Sequence, residues 1–111
     1  MYTTKYPHLA EPLKLGHSGI TLKNRVTSAP QWTFMASYDN HITRECVEAV
    51  IPFAKGGSSV VAMGNGFINK QLPAACHHVP GMSDPHIVVS LSQWVEAARR
   101  WGAKAEIELV P

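Results

Sequence analysis

The chain is short of almost everything that would mark a special environment. Its 111 residues include only two cysteines, Cys46 and Cys76, with no CxxC spacing. That excludes a disulfide-stapled scaffold and suits free thiols in a reducing compartment. No apolar run exceeds a few residues, so no segment reads as a bilayer span. The opening residues, Met1 to His8, contain no apolar core of a secretory signal, so a cytoplasmic location is expected. An excess of one charge is also lacking. Ten Lys and Arg face eight Asp and Glu, for a net +2 scattered along the chain, which gives no electrostatic case for nucleic acid or a membrane surface. The rest is ordinary globular composition: 45% hydrophobic, 16% charged and 8% aromatic, with a mean hydropathy of −0.07. Enough apolar residue is present to rule out a disordered polyampholyte, and the length suits one domain.

Periodicity supplies the elements. Tyr6 to Gly16, with two prolines and a glycine, reads as an extended lead-in packing across the bottom of something larger. Ile20 and Leu22 alternate with Thr21 and Lys23 in a hairpin-like pattern. Arg25 to Ala29 is a short strand that stops at Pro30. A helix follows, with Thr43 as N-cap, Glu45 in the first turn and Ile42 stapled to Val47. Val47, Val50, Ile51 and Ala54 form its apolar stripe; Pro52 is expected to kink or end it near Ile51, and Gly56-Gly57 to stop it. Ser58 to Met63 reads as a strand covered on both faces, and Gly64 to Ser83 as a long loop of the functional kind. Asp84 and Pro85 open a second helix whose stripe is Ile87, Leu91, Val95 (with Trp94) and Ala98, closed by Arg99, Arg100 and Gly102. Ala103 to Val110 then alternates, with Ala105, Ile107 and Leu109 on an oily side and Lys104, Glu106 and Glu108 on a polar one.

Strand, helix, strand, helix, strand implies two βαβ units with parallel strands. The polar side of the last strand contradicts an open doubly wound sheet, whose central strands are apolar on both faces. It suits the interior of a barrel near an end. The expected fold class is therefore α/β, the first three βα units of a TIM (β/α)₈ barrel, incomplete because a barrel needs eight strands. All of 1–111 falls in that one unit. An unpaired edge on the last strand predicts self-association.

Three stretches resemble one family. Leu22-Lys23-Asn24-Arg25 followed by Ala29-Pro30, then Ala54-Lys55-Gly56-Gly57 leading into a strand, then Gly102-Ala103-Lys104 running to Ile107-Glu108-Leu109, together resemble the opening of the old yellow enzyme-like NADH:flavin oxidoreductases. The Glu-Leu ending is similar to the branch containing bile-acid-processing and 2,4-dienoyl-CoA reductase-like enzymes. The resemblance implies an FMN-binding TIM barrel that passes hydride from NADH or NADPH to flavin, and then to an activated C=C bond of an enone or enoyl thioester. It implies that Ala29, Pro30, Gln31 and Trp32 line the flavin from the end of the first strand. Asn65, with Gly64 and Gly66, would do so from the end of the second. Glu108 would accept the flavin N3–H. The sequence departs from the family at Trp32, whose indole replaces a small residue, and at Pro52. The family's substrate-anion histidines, proton donor and phosphate-binding strands lie beyond position 111, so no catalytic residue is assigned and the piece alone is expected to be inactive.

Other groups carry blander readings. Cys76-His77-His78 and His86 match no metal-ligand spacing, so no metal is assigned. Met63 to Gly66 lacks the GxGxxG fingerprint and following helix of a dinucleotide turn. Ser58 and Ser59 lack the GxSxG context of a hydrolase. Asp39 and Asn40 read as a turn with no basic partner, and Trp94 and Trp101 as packing anchors. Two further readings remain open on the residues alone: a flavin-free TIM-barrel enzyme, and a small non-catalytic α/β protein acting through its exposed sheet edge.

Overall fold

The structure is a computed structural model that describes residues 2–69 and 76–111. It opens on two single-turn helices, α1 (Tyr2–Lys5) and α2 (Pro7–Ala10), rather than the extended lead-in that the two prolines suggest. Pro7 occupies the first helical position, where its missing N–H costs nothing. Pro12 then holds Glu11 extended at φ −70°, ψ 138°, and so ends the helix. The expected hairpin is present: β1 (Leu13–Lys14) pairs antiparallel with β2 (Thr21–Leu22).

The main sheet has three parallel strands in the order β3 (Thr27–Ser28), β4 (Val60–Phe67), β5 (Lys104–Val110). Helix α3 (Arg44–Lys55) connects the first pair and α4 (Ile87–Arg99) the second. Both helices pack on one face. Val50 and Ala54 from α3, Trp94, Ala97 and Ala98 from α4, and Val61 and Met63 from β4 form a single buried cluster, with Ala105 and Ile107 packed against it. The opposite face carries Glu106 and Glu108, both exposed.

Thr43 caps α3 as its sequence position predicts, its Oγ1 accepting from Cys46 N at 3.3 Å. Pro52 does not end the helix, which continues to Lys55. Pro52 and Glu48 both lie on the exposed face, so the carbonyl that loses its N–H partner is open to water. Asp84 sets up α4 from two residues further out than a regular cap. Its Oδ1 accepts from His86 N at 2.9 Å and its carbonyl from Ile87 N at 3.1 Å, so the helix begins at Ile87. Trp94 is buried as expected; Trp101 is 44% exposed, its ring 5.4 Å from Lys55 Nζ, and anchors nothing in the core. Leu109 is 58% exposed, against the alternation read for β5. It lies where the pairing with β4 shifts register between Met63 and Gly66, so that Leu109 pairs with Gly66, and Val110 is half-buried.

Leu22-Lys23-Asn24-Arg25 has a structural explanation. Leu22 is buried. Lys23 Nζ donates to Trp101 O at 2.7 Å, at the end of α4, and Asn24 Nδ2 donates to Gly57 O at 2.7 Å, in the turn after α3. Asn24 Oδ1 accepts from Val26 N at 3.0 Å. One segment thus ties the entry to β3 to the turns that enter β4 and β5. Replacing Asn24, only 6% exposed, with Ala leaves the Gly57 carbonyl without that partner. Urea denaturation should register a loss of about 1–3 kcal/mol; no loss would show that the tie is not what registers the strands.

Candidate functional site

The carboxyl ends of β3, β4 and β5 lie at one end of the sheet, and that is where side chains and backbone converge. β4 does not stop at Met63, as the sequence pattern suggests, but continues through Gly64, Asn65, Gly66 and Phe67. Part of the expected long loop is therefore strand; positions 70–75 of it lie outside the described residues. The glycines explain why the pattern was misread: they carry no side chain to alternate, and here the absence of one is what packing requires. A Cβ on Gly64 would overlap the backbone of Gln31. A Cβ on Gly66 would stand 2.6 Å from Met82 Cγ and 3.2 Å from Ile107 Cγ2. The end of β4 is a narrow rib with the loop after β3 closed onto it at Gly64 and the segment before α4 closed onto it at Gly66. Phe67 secures the second of these, donating to Pro80 O at 3.0 Å and accepting from Met82 N at 2.8 Å.

Asn65 stands between the two glycines. It is 2% exposed, adopts a left-handed φ of 57°, which Asn tolerates better than most residues, and sits inside the register shift. Its Oδ1 is buried without a hydrogen-bond partner, alone in that among the described residues. A buried acceptor with no donor costs about 1–3 kcal/mol, and such groups mark a strain reservoir or a place reserved for a missing donor.

The residues singled out in the sequence meet here unevenly. Ala29, Pro30, Gln31 and Trp32 form the exposed loop leaving β3. Gln31 contributes its backbone, which covers Gly64. Trp32 is 48% exposed and packs edge-to-face on Phe67 with centroids 5.8 Å apart, and against Phe34 at 5.6 Å. The indole is accommodated because it turns onto the strand end and into solvent. Glu108 is exposed on β5 opposite the register shift. The cleft enclosed beneath the loop, lined by Ser28, Gln31, Cys46, Phe53, Met63 and Gly64, holds about 60 Å³. Small-molecule pockets run to about 300–1,000 Å³, so a tricyclic ring does not enter that cleft and any cofactor would lie outside it.

A second cluster was missed. Asp39, read as having no basic partner, has one in His41: Oδ2 lies 3.1 Å from Nδ1. The other ring nitrogen lies 3.0 Å from Asp84 Oδ2, and Ser37 Oγ donates to Asp39 Oδ1. The hydrogen bond to Asp84, and then the charge of Asp39, raise the His41 pKa above its ordinary value. Ser37, before any other cause, lowers that of Asp39, and the His86 amide lowers that of Asp84. Asp39 and His41 are two residues apart in sequence and could have been paired; Asp84, 43 residues beyond His41, could not. Asn40 (φ 66°) completes the loop, its Nδ2 donating to Cys76 O at 2.9 Å and Val79 O at 2.8 Å. His77 stacks on Tyr38 with centroids 3.8 Å apart. Among the described residues no group of three or more His, Cys, Asp or Glu side chains is arranged to hold a metal, and no helix is long and apolar enough to cross a membrane.

No protein-family model matches the sequence, and no curated protein matches it. Solved structures do. The chain is similar to the old yellow enzyme of Trypanosoma cruzi at 22% identity and a TM-score of 0.78, over 96% of this chain and 27% of that one. It is similar to a 2-naphthoyl-CoA reductase solved with 2-naphthoyl-CoA at 19% identity and 0.79, over 98% and 16%. A morphinone reductase in complex with tetrahydroNAD matches at 24% and 0.70, over 93% and 27%. The chain thus spans about a third or less of the structures it matches. At these identities the likeness is one of fold.

Asn65→Gly removes the orphan acceptor and relieves the left-handed backbone. Thermal unfolding of the isolated chain should show stability unchanged or raised by about 1 kcal/mol, unlike the loss normal for a buried polar residue. A loss above about 2 kcal/mol would mean that Oδ1 has a partner in solution. The three parallel strands with their two helices on one face form part of a (β/α)₈ barrel.

Proposed function

We propose that the chain is the opening part of an FMN-dependent NAD(P)H oxidoreductase of the old yellow enzyme type, acting on an electron-poor C=C bond of an enone or enoyl thioester. The observation that carries this reading is the orphan Oδ1 of Asn65 at the carboxyl end of the middle strand. Barrel enzymes work at that end, and the buried acceptor asks for the N–H that the pyrimidine edge of a flavin offers. The fold likeness supports it, as do a relative solved with an acyl-CoA thioester and another with a nicotinamide.

The residues fit the group in donor and acceptor chemistry. Asn65 Oδ1 and the Glu108 carboxylate are acceptors on neighbouring strands that would share the single N–H of the oxidised ring, Glu108 from its exposed position and Asn65 once the loop lying on Gly64 lifts. The Trp32 and Phe34 rings offer exposed apolar surface beside them. Gly64 is covered by Gln31, so it is not part of a cofactor surface while the loop lies where it does. FMN, when bound, supplies the hydride relay between nicotinamide and alkene. This chain's part is to orient the pyrimidine edge through Asn65 and Glu108, and to shield one side of it from water with Trp32. The phosphate, the substrate carbonyl and the proton donor need groups from the remaining strands, so these three units alone would not turn over. The outer edge of β5 is where a fourth strand, or a second copy of the chain, would pair.

Incubating the purified chain with FMN, desalting, and recording its visible absorption and fluorescence tests the reading. Bound flavin with quenched fluorescence is expected, and Asn65→Gly or Glu108→Ala should weaken it about fivefold each, the worth of one hydrogen bond. A colourless protein, or affinity indifferent to both substitutions, would remove the claim that these strands form part of a flavin site and favour a flavin-free barrel.

A further inference from the structure

Two loops meet above the carboxyl ends of the strands: residues 29–43 after β3 and 76–86 before α4. Backbone bonds join them from Ala36 N to His78 O at 3.2 Å and from Gly81 N to Asn40 O at 2.9 Å. The two Asn40 side-chain bonds add to these, as do His77 Nδ1 to Tyr38 O at 3.1 Å and His78 Nδ1 to Ala36 O at 2.9 Å. None of these bonds needs an ionised ring, because a neutral imidazole with its proton on Nδ1 still donates to a carbonyl. His41 is different. Its two ring nitrogens each face a carboxylate, Asp39 from its own loop and Asp84 from the other. A neutral imidazole carries one proton, so one nitrogen would turn a lone pair toward a carboxylate oxygen about 3 Å away. Only the imidazolium donates to both.

We propose that His41 is a proton-operated latch that holds the loop leaving β3 down on the rest of the strand mouth by bridging Asp39 to Asp84. What the latch governs follows from the position of the loop. Its first residues put the Gln31 backbone on Gly64 and the Trp32 ring on Phe67, so releasing its far end frees the cover from the end of β4. The other charged groups nearby do not replace the ring. On α3, Arg44 pairs with Glu48 at 2.6 Å, and Glu45 lies at the Thr43 cap. His86 acts on Asp84, whose Oδ1 its amide already occupies. His77 and His78 bond backbone carbonyls. Because the bonds to Asp84 and Asp39 raise the folded-state pKa of His41, the latch is fully present below the ordinary imidazole value of 6.5 and is lost as pH rises through the higher folded value. The open loop is the alkaline form. The latch operates with or without a cofactor.

The test is a proton NMR titration of the histidine ring signals of the 111-residue chain, together with amide exchange across residues 33–43 corrected for the intrinsic effect of pH. His41 should titrate above 6.5, and protection at Ala36, Ser37 and His41 should fall several-fold across that same transition. Asp84→Asn should lower the His41 midpoint and leave the loop exchanging faster at acid pH, with the fold intact by circular dichroism. His41→Gln should give protection that no longer changes with pH. A midpoint at or below 6.5, protection that is flat with pH in the parent chain, or a pH-dependent step that survives His41→Gln would each overturn the latch.

Discussion

Everything in this structure is placed relative to one strand. β4 is paired on both edges, by β3 and by β5, and covered by both helices through Val61 and Met63, so its position leaves the neighbours little freedom. Parallel strands cannot be joined by a tight turn. Their register must be set from outside the ladder, and it is set at the base: Ser59, 1% exposed, gives N and Oγ to Val26 O at 2.8 and 2.9 Å and takes Lys104 N on its carbonyl at 2.8 Å. Ser59, which has no hydrolase context, thus has a structural use, fixing where three strands start. Asn24 and Lys23 repeat the device one layer further out.

The same strand creates the site by changing character halfway. Its first half is β-branched and oily and builds the core. Its second half, Gly64-Asn65-Gly66, has almost no side chain, and two loops close onto the rib that this leaves. The cost is a register shift and a left-handed asparagine with an unmet acceptor. A packed core gains nothing from such an arrangement. A ligand that brings a donor would use all of it, which is why the functional reading rests there and not on the more conspicuous histidines or the half-exposed Trp32.

Much of this was legible in the sequence, for identifiable reasons. Helices with a cap and a single apolar stripe, such as Thr43 to Lys55, announce themselves because their determinants are local. Parallel topology followed from the alternation of helix and strand. The polar face of β5, with Glu106 and Glu108, distinguished the front of a barrel from an open sheet. What failed did so because the deciding partner was distant or a side chain was missing. Pro52 does not end its helix because it faces water, and that exposure cannot be read from the helix alone. Leu109 is exposed although it continues the oily alternation of β5, because what covers a strand face lies outside the strand. Gly64 to Phe67 looked like loop because glycine leaves no periodicity. The bond from His41 to Asp84 joins two turns, and nothing in either turn names the other.

The central claim is that the chain folds around β4 as a parallel three-stranded sheet carrying two helices on one face. Amide hydrogen exchange, resolved by residue, tests it most directly. The account predicts that Val61, Ala62 and Met63 exchange most slowly, close to the rate set by global unfolding. The helix interiors should come next, and the residues of β5 that face away from β4 should be fast. If β4 exchanged as freely as the loops while α3 and α4 alone stayed protected, the chain would be a helical pair with an unformed sheet, and the account would be wrong at its foundation.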